Sequence, residues 1–233
     1  MWFFYDYYYL VLVVPMLVFA LIAQFKVNTT FNKYSKKHTM RSVTGERAAR
    51  MILDQNGLFD VRIERVGGNL TDHYDPRTNV IRLSDGVYSS TSVAAVGVAA
   101  HEAGHAVQHA KGYIPIKLRA AVIPMTNIGS YLSIPLILIG LLFSGGIILA
   151  YIGVALFSLT AVFQLITLPV EFNASRRAIE ALRSSGSFAE NEISSSKKVL
   201  TAAALTYVAA LAVALAQLLR LVLIVGGSND RRR

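Results

Sequence analysis

The chain has 233 residues, 54% of them hydrophobic, with no cysteine and a formal net charge of +9. Its mean hydropathy of +0.46 and its apolar share, above the roughly 45–50% of soluble domains, point to a membrane protein with a modest soluble part. Without cysteine there is no disulfide framework, zinc ribbon or thiol nucleophile, and without a nucleic-acid motif the positive charge reads as Lys and Arg setting membrane topology.

In chain order, residues 9–25, "YLVLVVPMLVFALIAQF", form the first apolar run, which together with the aromatic residues before it spans about 30 Å of hydrocarbon as a helix. The aromatic cluster "WFFYDYYY" before it reads as an interfacial belt, and Pro15 as a tolerated kink. A cleavable signal peptide carries positive charge ahead of its core. Here Asp6 comes before, and Lys26, Lys33, Lys36, Lys37 and Arg41 come after. The expectation is an uncleaved anchor with its N-terminus outside and the next segment in the cytoplasm.

Residues 43–56 have helical spacing, with Thr44 as N-cap and Asn56-Gly57 as stop. Residues 59–66 alternate as a strand, Gly67-Gly68 and 72–78 read as turns, and 79–84 as a second strand. A helix over 91–110 follows, capped by Ser90, Thr91 or Ser92. Apolar runs at about 121–143 and 146–169, joined by "SGG" at 144–146, predict a transmembrane hairpin. A basic segment at 171–198 and a last apolar run at about 199–224 complete the chain. Four spans leave the tail "NDRRR" outside, against the charge bias, and Arg220 inside the last run is awkward there, although such a side chain can snorkel toward an end.

The stretch "VAAHEAGHAVQHA" from Val98 holds the chemistry. His101 and His105 lie about 6 Å apart along one helix face, so both imidazoles can reach one ion at about 2.0–2.1 Å. Glu102 can reach a metal-bound water as general base and pass its proton to the leaving amine. The competing reading is an alanine-rich helix with chance histidines. A chance H-E-x-x-H match arises about once per hundred such chains, and the uncharged flanks favour a buried site.

His109 lies about 12 Å from His101 along the axis, too far to share the ion, and reads as a surface residue or as one supporting the ligands from behind. His38 reads as a solvated loop residue, and His73 as a polar turn residue. A minority reading makes His73 or Tyr74 an oxyanion donor. A catalytic zinc needs a third ligand. Glu171, an acid closing an apolar run, is expensive there without a partner, and two crossings return it to the side of His105. The alternative is a solvated interfacial acid, as expected of Glu180, Glu190 and Glu192.

"HYDPRTNVIRLS", "VAAHEAGHAVQHA" and "PVEFNASRRA", in this order and with these spans, resemble the YugP-like neutral zinc metallopeptidases of bacterial membranes. The likeness covers residues 42 to 215. More distantly the layout is similar to gluzincin membrane proteases such as HtpX and the CAAX prenyl endopeptidases. There, two His and a Glu from a later E-x-x-x-D helix bind zinc. The resemblance implies that Glu171 is that Glu. The supporting Asp is Ser175 here, so Ser175 or Asn173 takes its place behind the ligands. It also implies that the strand at 79–84 pairs with extended substrate.

The expected fold is mainly α: a multi-pass membrane protein of about four transmembrane helices with a small α+β zincin-like cytoplasmic part. The parts are an anchor (1–25), a cytoplasmic zincin-like segment (26–118), a transmembrane hairpin (119–170), a cytoplasmic segment with the third ligand (171–198), and a C-terminal span and tail (199–233). The expected function is a zinc endopeptidase of the plasma membrane. It would hold one Zn2+ per chain at the cytoplasmic face, with Glu102 assisting attack of zinc-bound water on peptide bonds of membrane or membrane-associated proteins. Its partners would be that substrate and the bilayer, with no nucleic acid, and with room for a homo-oligomer or a membrane partner protein. The alternatives are a non-catalytic zinc-binding scaffold, which would have no use for Glu102, and a transporter, which would need ionisable residues in mid-span.

Overall fold

Four long apolar helices set the architecture of the computed structural model, which describes residues 6–143 and 145–230. The aromatic positions 2–5, Ser144 of the expected turn and residues 231–233 of the tail lie outside the described residues. Helix α1 (Val14–Tyr34) continues a π-helical turn at Tyr9–Val13, and α5 (Ile114–Leu142), α6 (Ile147–Ser184) and α7 (Glu190–Asp230) follow later. Each is long and apolar enough to cross a membrane, and their most apolar windows reach mean hydropathies of 1.6 to 2.5. Between α1 and α5 lie α2 (Gly45–Gln55), β1 (Arg62–Val66), β2 (His73–Asp75), β3 (Val80–Ser84), a short α3 (Asp85–Tyr88) and α4 (Val93–Ala110). The chain is thus a mainly helical, multi-pass membrane protein with a small α+β part.

The described residues fall into two compact units. One takes the chain up to Ala23, Leu118–Leu168 and the chain from Thr206 onward. Its core gathers Ile137, Ala150, Val154, Leu221 and Val225, while Leu21, Ile22, Ile128, Leu142 and Leu165 face outward, as lipid-contacting side chains do. Small residues bring its backbones close, as is usual between membrane helices: a Cβ on Gly153 would stand 2.6 Å from the Ser133 carbonyl oxygen. Arg220 finds a partner. Its guanidinium is buried, donates to Asp6 Oδ2 from Nη2 at 2.6 Å and from Nε at 2.9 Å, and lies over the Tyr9 ring. An ion pair with an acid that precedes the first apolar run makes the charge tolerable there.

The second unit takes Gln24–Lys117 and Pro169–Leu205. Its core packs Ile52 and Leu53 of α2, Ile81 and Leu83 of β3, Ala99 and Ala103 of α4, and Ala178 and Leu182 of α6. Thr44 and Ser92 cap α2 and α4, accepting from the Arg47 and Ala95 amides, as expected of hydroxyls at these positions. The sheet order is β1-β3-β2, with β1 parallel and β2 antiparallel to β3. The Thr78 hydroxyl and the Arg77 amide donate to Asp75 in the β2–β3 turn and hold its carboxyl at about 2.

Several expectations are corrected. Residues 73–75, read as turn, form β2. The strand at 79–84 is the central one, with both edges already paired, so it has no edge left for a substrate. No break separates a span ending at 169 from a helix starting at 171, since α6 runs through Pro169. Helix α1 continues to Tyr34, well past its apolar run. Glu192 is buried, not solvated, accepting from the Met40 and Ala189 amides. His38 is exposed but anchored, with Nδ1 2.9 Å from Thr91 Oγ1.

Candidate metal centre

The site starts from what α4 lacks. Between its Ser92 cap and Lys111 it carries mostly alanine, valine and glycine, so neighbouring backbones can come close. A Cβ on Gly97 would stand 3.2 Å from Ser196 Cβ of α7, and one on Gly104 only 2.6 Å from the Ala174 carbonyl oxygen of α6. At Gly104 the two helices touch backbone to backbone, a contact that only glycine permits. Ala174 lies three residues past Glu171, so this contact also brings the Glu171 carboxylate up to the HEAGH turn.

There three ligand atoms converge. Glu171 Oε2 lies 3.2 Å from His101 Nε2 and 3.5 Å from His105 Nε2. The imidazoles stand edge to face with centroids 4.6 Å apart, and one donor atom from each of the three residues lies within 4.8 Å of the others. Four-coordinate zinc with bonds of about 2.0–2.2 Å sets tetrahedral ligand atoms about 3.3 Å apart. The observed separations suit such an ion. The chemistry of the set suits it too, since two imidazoles and one carboxylate form a borderline-to-hard set that favours zinc.

Burial of the His105 ring by itself would lower its pKa. The Glu171 carboxylate bonded to it and the nearby Glu102 charge outweigh that and raise it. The site's field therefore favours a cation at this point. Glu171 is 2% exposed, so its charge acts with little solvent screening.

Each imidazole is held from behind. His101 Nδ1 lies 3.1 Å from Ser175 Oγ, which leaves Nε2 facing Glu171. His105 Nδ1–H donates to Gln108 Oε1 at 3.0 Å. Gln108 is fully buried, and its amide nitrogen donates to the Val170 carbonyl at 2.8 Å and to Asn173 Oδ1 at 3.0 Å. Asn173 Oδ1 also accepts from Arg177 Nε. Ser175 and Asn173 are thus both engaged, one directly on His101 and the other on His105 through Gln108.

Glu102 is also buried, and its Oε2 accepts the Tyr74 backbone N–H at 2.9 Å. This aims the carboxylate between α4 and β2. The Tyr74 hydroxyl turns away and donates to Asn79 Oδ1. His73 is exposed, with Nδ1 2.8 Å from the Thr71 carbonyl oxygen, and His109 is exposed with its ring 6.1 Å from that of Tyr74. Sequence reasoning missed Gln108, Gly104 and the Tyr74 amide. For Gln108 a signal existed: a lone polar residue three past His105 in an otherwise small, apolar run. A backbone amide from β2 leaves no such trace.

No solved structure matches the chain. A protein of Bacillus subtilis (strain 168), described as "Putative membrane protease YugP", is 47% identical over 222 residues, covering 95% of this chain and 98% of that protein. A family model matches residues 9–226, and the chain belongs to that family, whose description is "Putative neutral zinc metallopeptidase".

Proposed function

We propose that this protein is a membrane-embedded zinc endopeptidase of the gluzincin type, holding one zinc ion per chain on His101, His105 and Glu171. The observation that carries this reading is the convergence of those three donor atoms at 3.2 and 3.5 Å, with the Glu102 carboxylate beside them. Zinc bound there supplies Lewis acidity, which lowers the pKa of a water toward about 7 and polarises a carbonyl. Glu102 takes the proton of the attacking water and delivers it to the departing amine. The Tyr74 amide orients its carboxylate for both transfers, and Ser175 and Gln108 fix the imidazole orientations so that both Nε2 lone pairs point at the ion.

An extended peptide would add along β2, the strand whose amide meets Glu102. Strand addition gives affinity through main-chain bonds and leaves side-chain specificity to pockets. The unit made of Gln24–Lys117 and Pro169–Leu205 is the catalytic part. The basic residues that follow the first apolar run support placing it in the cytoplasm of a plasma-membrane protein, and its substrates are peptide bonds of membrane or membrane-associated proteins.

The test is Glu102→Gln in the full chain, purified in detergent and loaded with zinc. The variant keeps one zinc per chain by elemental analysis and loses peptide cleavage, by about 100-fold or more, the low end of general-base contributions. In cells carrying it, uncleaved membrane proteins accumulate. Cleavage at the wild-type rate under metal-controlled conditions overturns the proposal.

A further inference from the structure

Two helices that meet ordinarily do so through apolar faces. Helices α1 and α7 depart from this in the second unit. On α1 the facing residues are Lys26, Thr29, Thr30 and Lys33, spaced i, i+3, i+4, i+7, which is one helix face. On α7 they are Ser194, Lys197, Lys198 and Thr201, with the same spacing. Between them lies a groove of about 600 Å³ that no acidic residue lines. Among the described residues none of the four lysines forms an ion pair. Lys37, just past α1, also ties to α7, its ammonium donating to Ser195 Oγ at 3.0 Å and to the Asn191 carbonyl at 3.3 Å.

We infer that this groove binds the phosphate-bearing headgroup of an anionic phospholipid. Lys33 Nζ lies over the Tyr34 ring at 5.7 Å and Lys197 feels the charge of Glu190 on its own helix, but no carboxylate enters the groove, so the four ammonium groups repel one another there and a bound phosphodiester relieves that repulsion. The Thr29 and Thr201 hydroxyl protons are taken by the Phe25 and Lys197 carbonyls, so the ammoniums and the Thr30 and Ser194 hydroxyls supply the donors. The groove sits at headgroup level on both helices: Lys26 directly follows the apolar run of α1, and Thr201 stands at the start of that of α7. A lipid rather than a soluble phosphate is favoured because clustered cations next to a membrane span meet the anionic leaflet at high local concentration. The inference stands independently of the peptidase reading, since it uses neither zinc nor Glu102.

The test uses the full chain in detergent. Native mass spectrometry and thermal unfolding are followed with added phosphatidylglycerol, phosphatidylcholine, or inorganic phosphate at millimolar concentration. Wild type retains phosphatidylglycerol and melts higher with it, and responds to neither of the others. Lys33→Gln/Lys197→Gln weakens retention about 25-fold, at about fivefold per lysine near an anionic surface. Lys33→Arg/Lys197→Arg keeps it, and so does neutralising the exposed cations Arg47, Arg77, Lys111 and Lys117 together. Equal retention of phosphatidylcholine, a full response to inorganic phosphate alone, or unchanged retention in the Gln pair overturns the inference.

Discussion

Adding a single methyl group at Gly104 should separate the proposed ligands His101 and His105 from Glu171 without touching any of them. A Cβ there would stand 2.6 Å from the Ala174 carbonyl oxygen, 3.2 Å from its carbon and 3.3 Å from the Ala174 Cα, whereas ordinary contact begins at 3.4 Å. All three atoms are backbone, so no side chain can swing aside, and α6 must withdraw from α4 by about 0.8 Å to restore contact. Glu171, one turn earlier on α6, moves with it. Metal sites tolerate departures of about 0.2 Å in ligand distance. The ion can then be held by two histidines and a distant carboxylate, or by all three at the cost of straining α6.

Changes to groups that position metal ligands typically cost 10–100-fold in metal affinity, which is about 1.4–2.8 kcal/mol. Gly104→Ala should fall in that range. The assay is zinc competition against a chelator of known affinity, on the full chain in detergent, with circular dichroism to verify the fold. Gly97→Ala is the companion, because its Cβ would meet Ser196 Cβ at 3.2 Å, a contact that yields by a few tenths of an ångström. It should leave zinc affinity within about twofold, at a fraction of the 1.4 kcal/mol that makes a tenfold change. If Gly104→Ala binds zinc as wild type does, the close approach of α4 and α6 is not what sets Glu171, and the reasoning fails.

Further predictions follow from other contacts. Gln108→Ala frees His105 Nδ1 and strips a donor from Val170 O and Asn173 Oδ1; chelator competition should show zinc affinity down about 10–100-fold, and thermal unfolding a stability loss of about 1–3 kcal/mol. Ser175→Asp replaces a neutral partner of His101 with a carboxylate, which raises imidazole basicity; the same competition assay should show tighter zinc binding, and weaker binding would count against Ser175 as its orienting group. Asp6→Asn removes the carboxylate from a guanidinium only 3% exposed, and denaturant titration in detergent should record a loss of about 3–5 kcal/mol. Replacing Arg220 by Leu in the same chain should recover part of it, because a buried guanidinium without its carboxylate costs more than an apolar side chain in its place.

What the sequence shows of this molecule is what periodicity and local chemistry encode. The apolar runs, the Thr44 and Ser92 caps and the His101/His105 pair each depend on residues within a few positions of one another. What it hides depends on distant partners. The 73–75 segment carries no apolar alternation and becomes a strand only because β3 pairs with it. Arg220 is tolerable because Asp6, 214 residues earlier, reaches it. Glu192 is an instructive intermediate. Its Oε2 accepts the Ala189 amide three residues before it, half of a capping box, so the helix start was readable from "SFAENE". Its burial was not, because that comes from the Met40 amide.

The division of labour within the site follows from helix geometry alone. At 100° per residue, Gly97, His101, Gly104, His105 and Gln108 fall within about a 100° arc of α4. On an ordinary buried helix that stripe holds leucines and valines that keep neighbouring helix axes about 8–10 Å away. Here glycines draw the neighbours in, and the space a large side chain would fill goes to imidazoles and the amide that steers one of them. Glu102 lies 100° round from His101, with His109 two turns further along the same line, and both face the Tyr74 segment of β2. The donor atoms of His101, His105 and Glu171 therefore gather between α4 and α6, and the Glu102 carboxylate lies between α4 and β2. On the function proposed above, α4 would thus present its metal donors on one face and Glu102 on the adjoining one, and a peptide laid along β2 would reach both from the same side.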